Sequence, residues 1–175
     1  MHKLLGEIKK NEGKTRVVKN FFDSEQVNAL LKLYKNPNDI FTFGVGNHLM
    51  MGCQYITWER PKKIIASGSL GVMGCSIGYA IGTQIANPEH TVISIDGDGS
   101  FNMTLSDLQT IQRYQLPIKI AIINDESLSM VRVWEKLFYG ERYTATNNPN
   151  NPDYVALAES YGIKGMYCEH VDDVE

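Results

Sequence analysis

Apolar positions along this chain switch repeatedly between helical spacing and short continuous runs. Val27, Leu30, Leu31 and Tyr34 fall on one helical face within residues 23–35, with Asp23 or Ser24 as the N-cap, and Asn36-Pro37-Asn38-Asp39 ends that helix and turns the chain. Short strands are predicted over 40–45 and 63–66. Residues 71–86 read as a helix of small residues (Gly74, Gly78, Ala80, Gly82, Ala86) that can approach a sheet closely, closed by Asn87-Pro88. A strand over 91–96 precedes a helix over 104–114, where Thr104-Leu105-Ser106-Asp107 resembles a capping box and Leu105, Leu108 and Ile111 form the buried stripe. Leu116-Pro117 leads into a strand over 118–123. A helix over 128–138, a polar loop over 140–152, a helix over 153–161, and a turn and strand over 162–168 follow. Strands alternating with helices predict an α/β fold: a doubly wound, mostly parallel sheet with helices on both faces.

This pattern divides the chain into a basic lead-in over 1–20 (Lys3, Lys9, Lys10, Lys14, Arg16, Lys19) and one domain over 21–175. Asp172 reads as the N-cap of a helix with no residues left to build it, so the domain is expected to lack its last helix and strand. At 175 residues there is enough chain for one real core. A net charge of −3 gives no electrostatic case for nucleic acid, and no apolar run suits a membrane span or signal peptide. Cys53, Cys75 and Cys168 are odd in number and far apart, which favours free thiols in a reducing compartment, the cytoplasm by default.

The candidate chemistry lies where two strands end. The strand over 91–96 runs into Asp96-Gly97-Asp98-Gly99-Ser100-Phe101-Asn102, and the strand over 118–123 runs into Asn124-Asp125. In an open parallel sheet both clusters reach one rim, the side where ligands bind. Hard oxygen ligands beside a glycine-rich turn suit Mg²⁺ held against a phosphate. Two other loops carry no such pattern. Gly68, Gly71 and Gly74 lack dinucleotide-loop spacing, and Gly13-Lys14-Thr15 lacks the first glycine of a P-loop, since Ile8 stands there.

With these residues assembled, the chain resembles the C-terminal, diphosphate-binding domain of thiamine-diphosphate enzymes, and within them the acetolactate synthase catalytic subunit. The resemblance rests on ordered blocks: Gly44-Val45-Gly46-Asn47-His48, Gln54-Tyr55-Ile56-Thr57-Trp58, the run over 67–74, the run over 95–105, Met130-Val131-Arg132-Val133-Trp134, Leu137-Phe138-Tyr139, Arg142-Tyr143 and Asn151-Pro152-Asp153. It implies that Asp98 and Asp125 are side-chain ligands of Mg²⁺, with the Ser127 carbonyl as a third. Gly99 and Ser100 would offer N–H groups to the diphosphate at a helix start, and Asn47 and His48 would contact its other side. Gly71 would accept from the aminopyrimidine amine with Val72 beside it. Met73 would hold the cofactor bent, and Met130 and Trp134 would line the substrate side. The family chemistry is decarboxylation of pyruvate and addition to a second 2-keto acid. The glutamate that activates the aminopyrimidine lies in this family on a separate N-terminal domain, across a dimer interface. The chain alone is therefore expected to be inactive and to need a homo-oligomer, or a partner chain carrying that pyrimidine domain. A non-catalytic module of the same fold and a fragment of a longer enzyme remain alternatives.

Several positions depart from the family pattern. Asn is usual where this chain has Asp125, Glu-Gln-Gly where it has Ser127-Leu128-Ser129, Gln at Leu49, Trp at Met51 and Pro at Gly78. A carboxylate at 125 adds a negative charge beside an anionic diphosphate. Asp125→Asn is therefore expected to tighten thiamine diphosphate binding in calorimetry; unchanged or weaker binding contradicts this account of the charge.

Overall fold

A computed structural model describes residues 24–34, 36–61, 63–169 and 173–174. The lead-in over 1–20, the Asp23 cap and Asp172 lie outside these residues. Helix α1 (Ser24–Leu33) is followed by β1 (Ile40–Phe43), α2 (Asn47–Tyr55), β2 (Ile64–Ile65), α3 (Cys75–Ala86) and β3 (Val92–Gly97). Then come the single turn α4 (Asp98–Phe101), a 3-10 turn Leu105–Asp107, α5 (Leu108–Arg113), β4 (Lys119–Ile123), α6 (Ser129–Phe138) and α7 (Tyr154–Ser160).

The strands form a four-stranded sheet in the order β2-β1-β3-β4, every pair parallel. Ile40 pairs with Val92 and Phe43 with Ile95, while Gly97 pairs with Ile123, so the ends of β1, β3 and β4 finish side by side. Alternation splits the strands between two layers. Phe41, Phe43, Ile93 and Ile95 face α1 and α2, burying Val27, Leu30 and Met51. Ile40, Val92, Ile118, Ile120 and Ile122 face the layer built from α3 and α5, with Ile77, Ala80, Leu108 and Ile111. Helices therefore cover both faces of an all-parallel sheet, as the sequence pattern predicts.

Local departures have identifiable causes. Helix α3 begins at Cys75 rather than 71 because Gly71 (φ 64°) and Gly74 (φ 77°) hold the preceding turn in the left-handed region. The expected capping box at Thr104 does not form: its Oγ1 donates instead to the Gly74 carbonyl at 2.8 Å, and the helix opens with a 3-10 turn. Helix α2 was not apparent in the sequence, where its residues read as motif. Residues 163–169 carry no strand, contrary to expectation. Asp153 caps α7 by accepting from the N–H groups of Val155 and Ala156.

An aromatic cluster closes the α1 side of the core. Phe41 has no exposed surface and packs against Tyr34 at 5.6 Å and Trp58 at 5.5 Å between ring centroids. Phe41→Ala is expected to cost about 3–5 kcal/mol in denaturant unfolding, the range for deleting a buried aromatic.

Candidate functional site

The chain reverses direction across the sheet between β1 and β3: β1 leads through α2 to β2 on one side, and α3 returns to β3 on the other. That switch point leaves a crevice beyond the strand ends. The approach there is close. A Cβ on Gly44, just past β1, would lie 1.8 Å from Asp96 Oδ1 and 2.6 Å from Ser100 Oγ, so only glycine fits.

Asp96, at the end of β3, has no exposed surface. Ser76 Oγ on α3 donates to its Oδ2, and the Gly97 N–H donates to Oδ1 at 3.0 Å. His48 Nε2 on α2 stands 3.5 Å from Oδ1, too far for a well-formed hydrogen bond. Burial pushes the Asp96 carboxyl above its usual range, opposed by hydrogen bonds from Ser100, Ser76 and Gly97. Burial also lowers His48 to about 4, partly offset by a hydrogen bond to the Gly44 backbone. Its Nε2 and the neighbouring Asn47 Oδ1 are buried without hydrogen-bond partners.

These strand ends bound a cleft whose lining includes Asn47, His48, Gly71, Met73, Asp98, Gly99, Ser100, Asp125, Ser127 and Met130. Val72 and Trp134 do not line it. Val72 is exposed and its carbonyl accepts from the Cys75 thiol, while Trp134 is half exposed and packs on Phe138. Within the cleft, Asp98 is 1% exposed. Burial pushes its carboxyl up and the Asp125 charge pushes the same way, opposed by a hydrogen bond from Asn151. Asp125 is exposed; its Oδ1 accepts from the Ser127 N–H at 3.2 Å and Ser127 Oγ at 3.1 Å, and its Oδ2 accepts from Ser129 Oγ. Ser100 Oγ accepts from the Gly74 N–H at 2.8 Å, so its hydroxyl braces the rim from beneath. Leu128 reaches over the turn: a Cβ on Gly99 would lie 2.6 Å from its Cδ2.

Among the described residues no three His, Cys, Asp or Glu side chains converge as a metal centre. The rim offers two carboxylates, Asp98 and Asp125.

Residues 44–175 match the family model for the thiamine pyrophosphate enzyme C-terminal TPP binding domain. The chain belongs to this family. It is similar to the acetolactate synthase isozyme 2 large subunit of Escherichia coli, 43% identical over 142 residues that make up 81% of this chain and 26% of that protein. It is 45% identical to the mitochondrial acetolactate synthase catalytic subunit of Saccharomyces cerevisiae over 152 residues, 84% of this chain and 22% of that one. A Mycobacterium bovis acetolactate synthase is also 45% identical, over 142 residues. The chain thus spans about a quarter of the length of these relatives. No helix among the described residues is long and apolar enough to cross a membrane.

Asp96 and Asn151 shape this thiamine-diphosphate-family cleft, although the sequence blocks that contain them gave neither a role. A carboxylate ending an otherwise apolar strand was the available signal for Asp96. Asn151 stood in a block matching the family, but its contacts were not legible because its partners Asp98 and Asn124 lie 53 and 27 residues away.

The depressed His48 value sets a pH dependence. The unfolded imidazole takes up a proton near its ordinary value of 6.5, whereas the native one refuses it until about 4. Protons bound preferentially by the unfolded state lower stability as pH falls through that window. Between pH 6.5 and 4 the wild type should lose about 1–3 kcal/mol more than His48→Gln, read from paired denaturant titrations at each pH.

Proposed function

We propose that the cleft holds thiamine diphosphate with Mg²⁺ and forms the cofactor half of an acetolactate-synthase-like enzyme. The observation that carries this reading is the pair of carboxylates, Asp98 and Asp125, on adjacent strand ends, with Asp98 pushed up chiefly by its burial and further by its neighbour's charge. A divalent cation relieves that repulsion, and buried polar atoms without partners at Asn47 and His48 suit a polar ligand in the same cleft.

In this reading Asp98 and Asp125 ligate the cation with the Ser127 carbonyl. Gly99 and Ser100 offer main-chain N–H groups to the diphosphate, and Asn47 and His48 approach from the β1 side. Since the Ser100 hydroxyl is committed to Gly74, only its N–H serves the ligand. Gly71 and Met73 hold the aminopyrimidine end and Met130 faces the substrate, while Val72 and Trp134, which lie outside the cleft lining, take no part in this reading. When bound, thiamine diphosphate supplies the electron sink for decarboxylation of a 2-keto acid such as pyruvate and its addition to a second. This chain's contribution is to bind, orient and shield the reacting groups from water.

We assign residues 21–175 to the diphosphate-binding domain and 1–20 to a basic lead-in. In this reading the activating glutamate lies on a pyrimidine domain reached across a homo-oligomer or supplied by a partner chain. The free thiols of Cys53, Cys75 and Cys168 suit a reducing compartment, the cytoplasm. A second reading, a non-catalytic module of the same fold, is favoured by Leu128 lying against Gly99 and by the serines that already satisfy Asp125.

Calorimetry of thiamine diphosphate with Mg²⁺ tests the cofactor assignment. Binding to the wild type should fall at least about tenfold in Asp98→Ala, in line with the loss on disturbing metal-site partners. Equal binding by both, or none by the wild type, refutes it. Acetolactate formed from pyruvate only when a pyrimidine-domain partner is added separates the enzyme from the non-catalytic module.

A further inference from the structure

Asn151 lies in the loop between α6 and α7, far in sequence from the rim, yet its side chain meets the rim at three points. Its Nδ2 donates to Asp98 Oδ2 at 2.7 Å and to Asn124 Oδ1 at 2.9 Å. Its Oδ1 accepts from Asn102 Nδ2 at 3.2 Å, and Asn102 Oδ1 in turn accepts from the Tyr154 hydroxyl at 3.1 Å. An ionised carboxylate can only accept, so Asp98 fixes which way the Asn151 amide faces. That choice forces Asn102 to present its amide nitrogen to Asn151, and its oxygen to Tyr154. The result is a one-directional relay from α7 through Asn102 and Asn151 to Asp98.

The same loop grips the other carboxylate through its backbone. The Leu128 N–H donates to the Thr146 carbonyl at 2.8 Å and the Asn148 N–H to the Glu126 carbonyl at 2.7 Å, with Ser127 bridged to Asn147. Residues 126–128, which directly follow Asp125, are therefore paired to residues 146–148, and Asp98 is held by Asn151 a few residues on. One short stretch of loop references both carboxylates.

We propose that Asn151 is a positioning residue for the cation site: it holds the Asp98 carboxylate at the spacing from Asp125 that one divalent ion requires, and so couples cation binding to order in the loop over 144–151. This inference rests on the reading of the cleft as a cation–diphosphate site. Partners that orient a metal ligand typically contribute 10–100-fold to metal affinity, although they never touch the ion.

The test uses the 175-residue chain with Mn²⁺ as the probe, bound ion being counted by electron paramagnetic resonance with thiamine diphosphate present. Asn151→Ala should bind Mn²⁺ about tenfold or more weakly than wild type. Asp153→Ala, which removes the cap of α7 in the same segment but leaves the relay partners in place, should change affinity less than about twofold. Equal affinity in Asn151→Ala, or an equal loss in Asp153→Ala, overturns the proposal while leaving the cation site standing. A wild type that binds no Mn²⁺, or an Asp98→Ala variant that binds it as wild type does, refutes the cation reading itself and the proposal with it. Hydrogen exchange of the wild type decides the matter even if Asn151→Ala does not fold. Amides over 144–151 should exchange more slowly once Mg²⁺ and thiamine diphosphate are bound, and exchange indifferent to bound cation overturns the coupling.

Discussion

The buried carboxylate of Asp96 is the constraint around which the rim is built. A charge taken wholly out of water is costly unless several polar groups converge on it. Here they come from three parts of the fold: Ser76 from the helix on one face, Ser100 from the turn after the strand, and Gly97 from the strand itself. Gly44 has no side chain because that space is taken by this carboxylate and by Ser100. This one carboxylate therefore ties α3 to β3 and sets how closely β1 can approach. Asp98, two residues further on, inherits its place at the cleft from that arrangement.

Much of this fold could be read from the residues, because its signals are local. Continuous apolar runs marked β1, β3 and β4, and the acidic clusters fell just past two of those strands, which in a parallel sheet places them on one rim. What stayed hidden depends on contacts distant in sequence. Thr104 looks like a cap until Gly74, thirty residues away, offers its hydroxyl a better partner. Asn151 looks like a loop residue until the fold brings it to Asp98. The α2 segment was obscured for a different reason: its apolar residues Leu49, Met50 and Met51 are consecutive rather than spaced, so they carry little periodic signal.

The cleft combines firm and yielding parts. Asp96, Ser100 and Gly74 form a sequestered polar scaffold beneath it. Above it, Asp125 is exposed and held by the hydroxyls of Ser127 and Ser129 and one N–H, all from its own loop. The two acidic groups thus have unlike surroundings: one is set by the body of the domain, the other by a short local turn with Glu126 at φ 54°. Substitutions in 126–129 act on Asp125 directly and reach Asp98 only through the paired loop that carries Asn151.

Helix α6 inverts the usual arrangement. Glu135 is its buried side chain, while Val131, Trp134, Leu137 and Phe138 are substantially exposed. Glu135 accepts from the Thr144 N–H and the Thr146 hydroxyl, and the Thr146 carbonyl accepts from the Leu128 N–H at the rim. Helix, return loop and cleft wall are joined in series by polar links. The cleft wall is thus anchored to α6 at Glu135, so a change at this one buried acid would loosen the helix and the wall together.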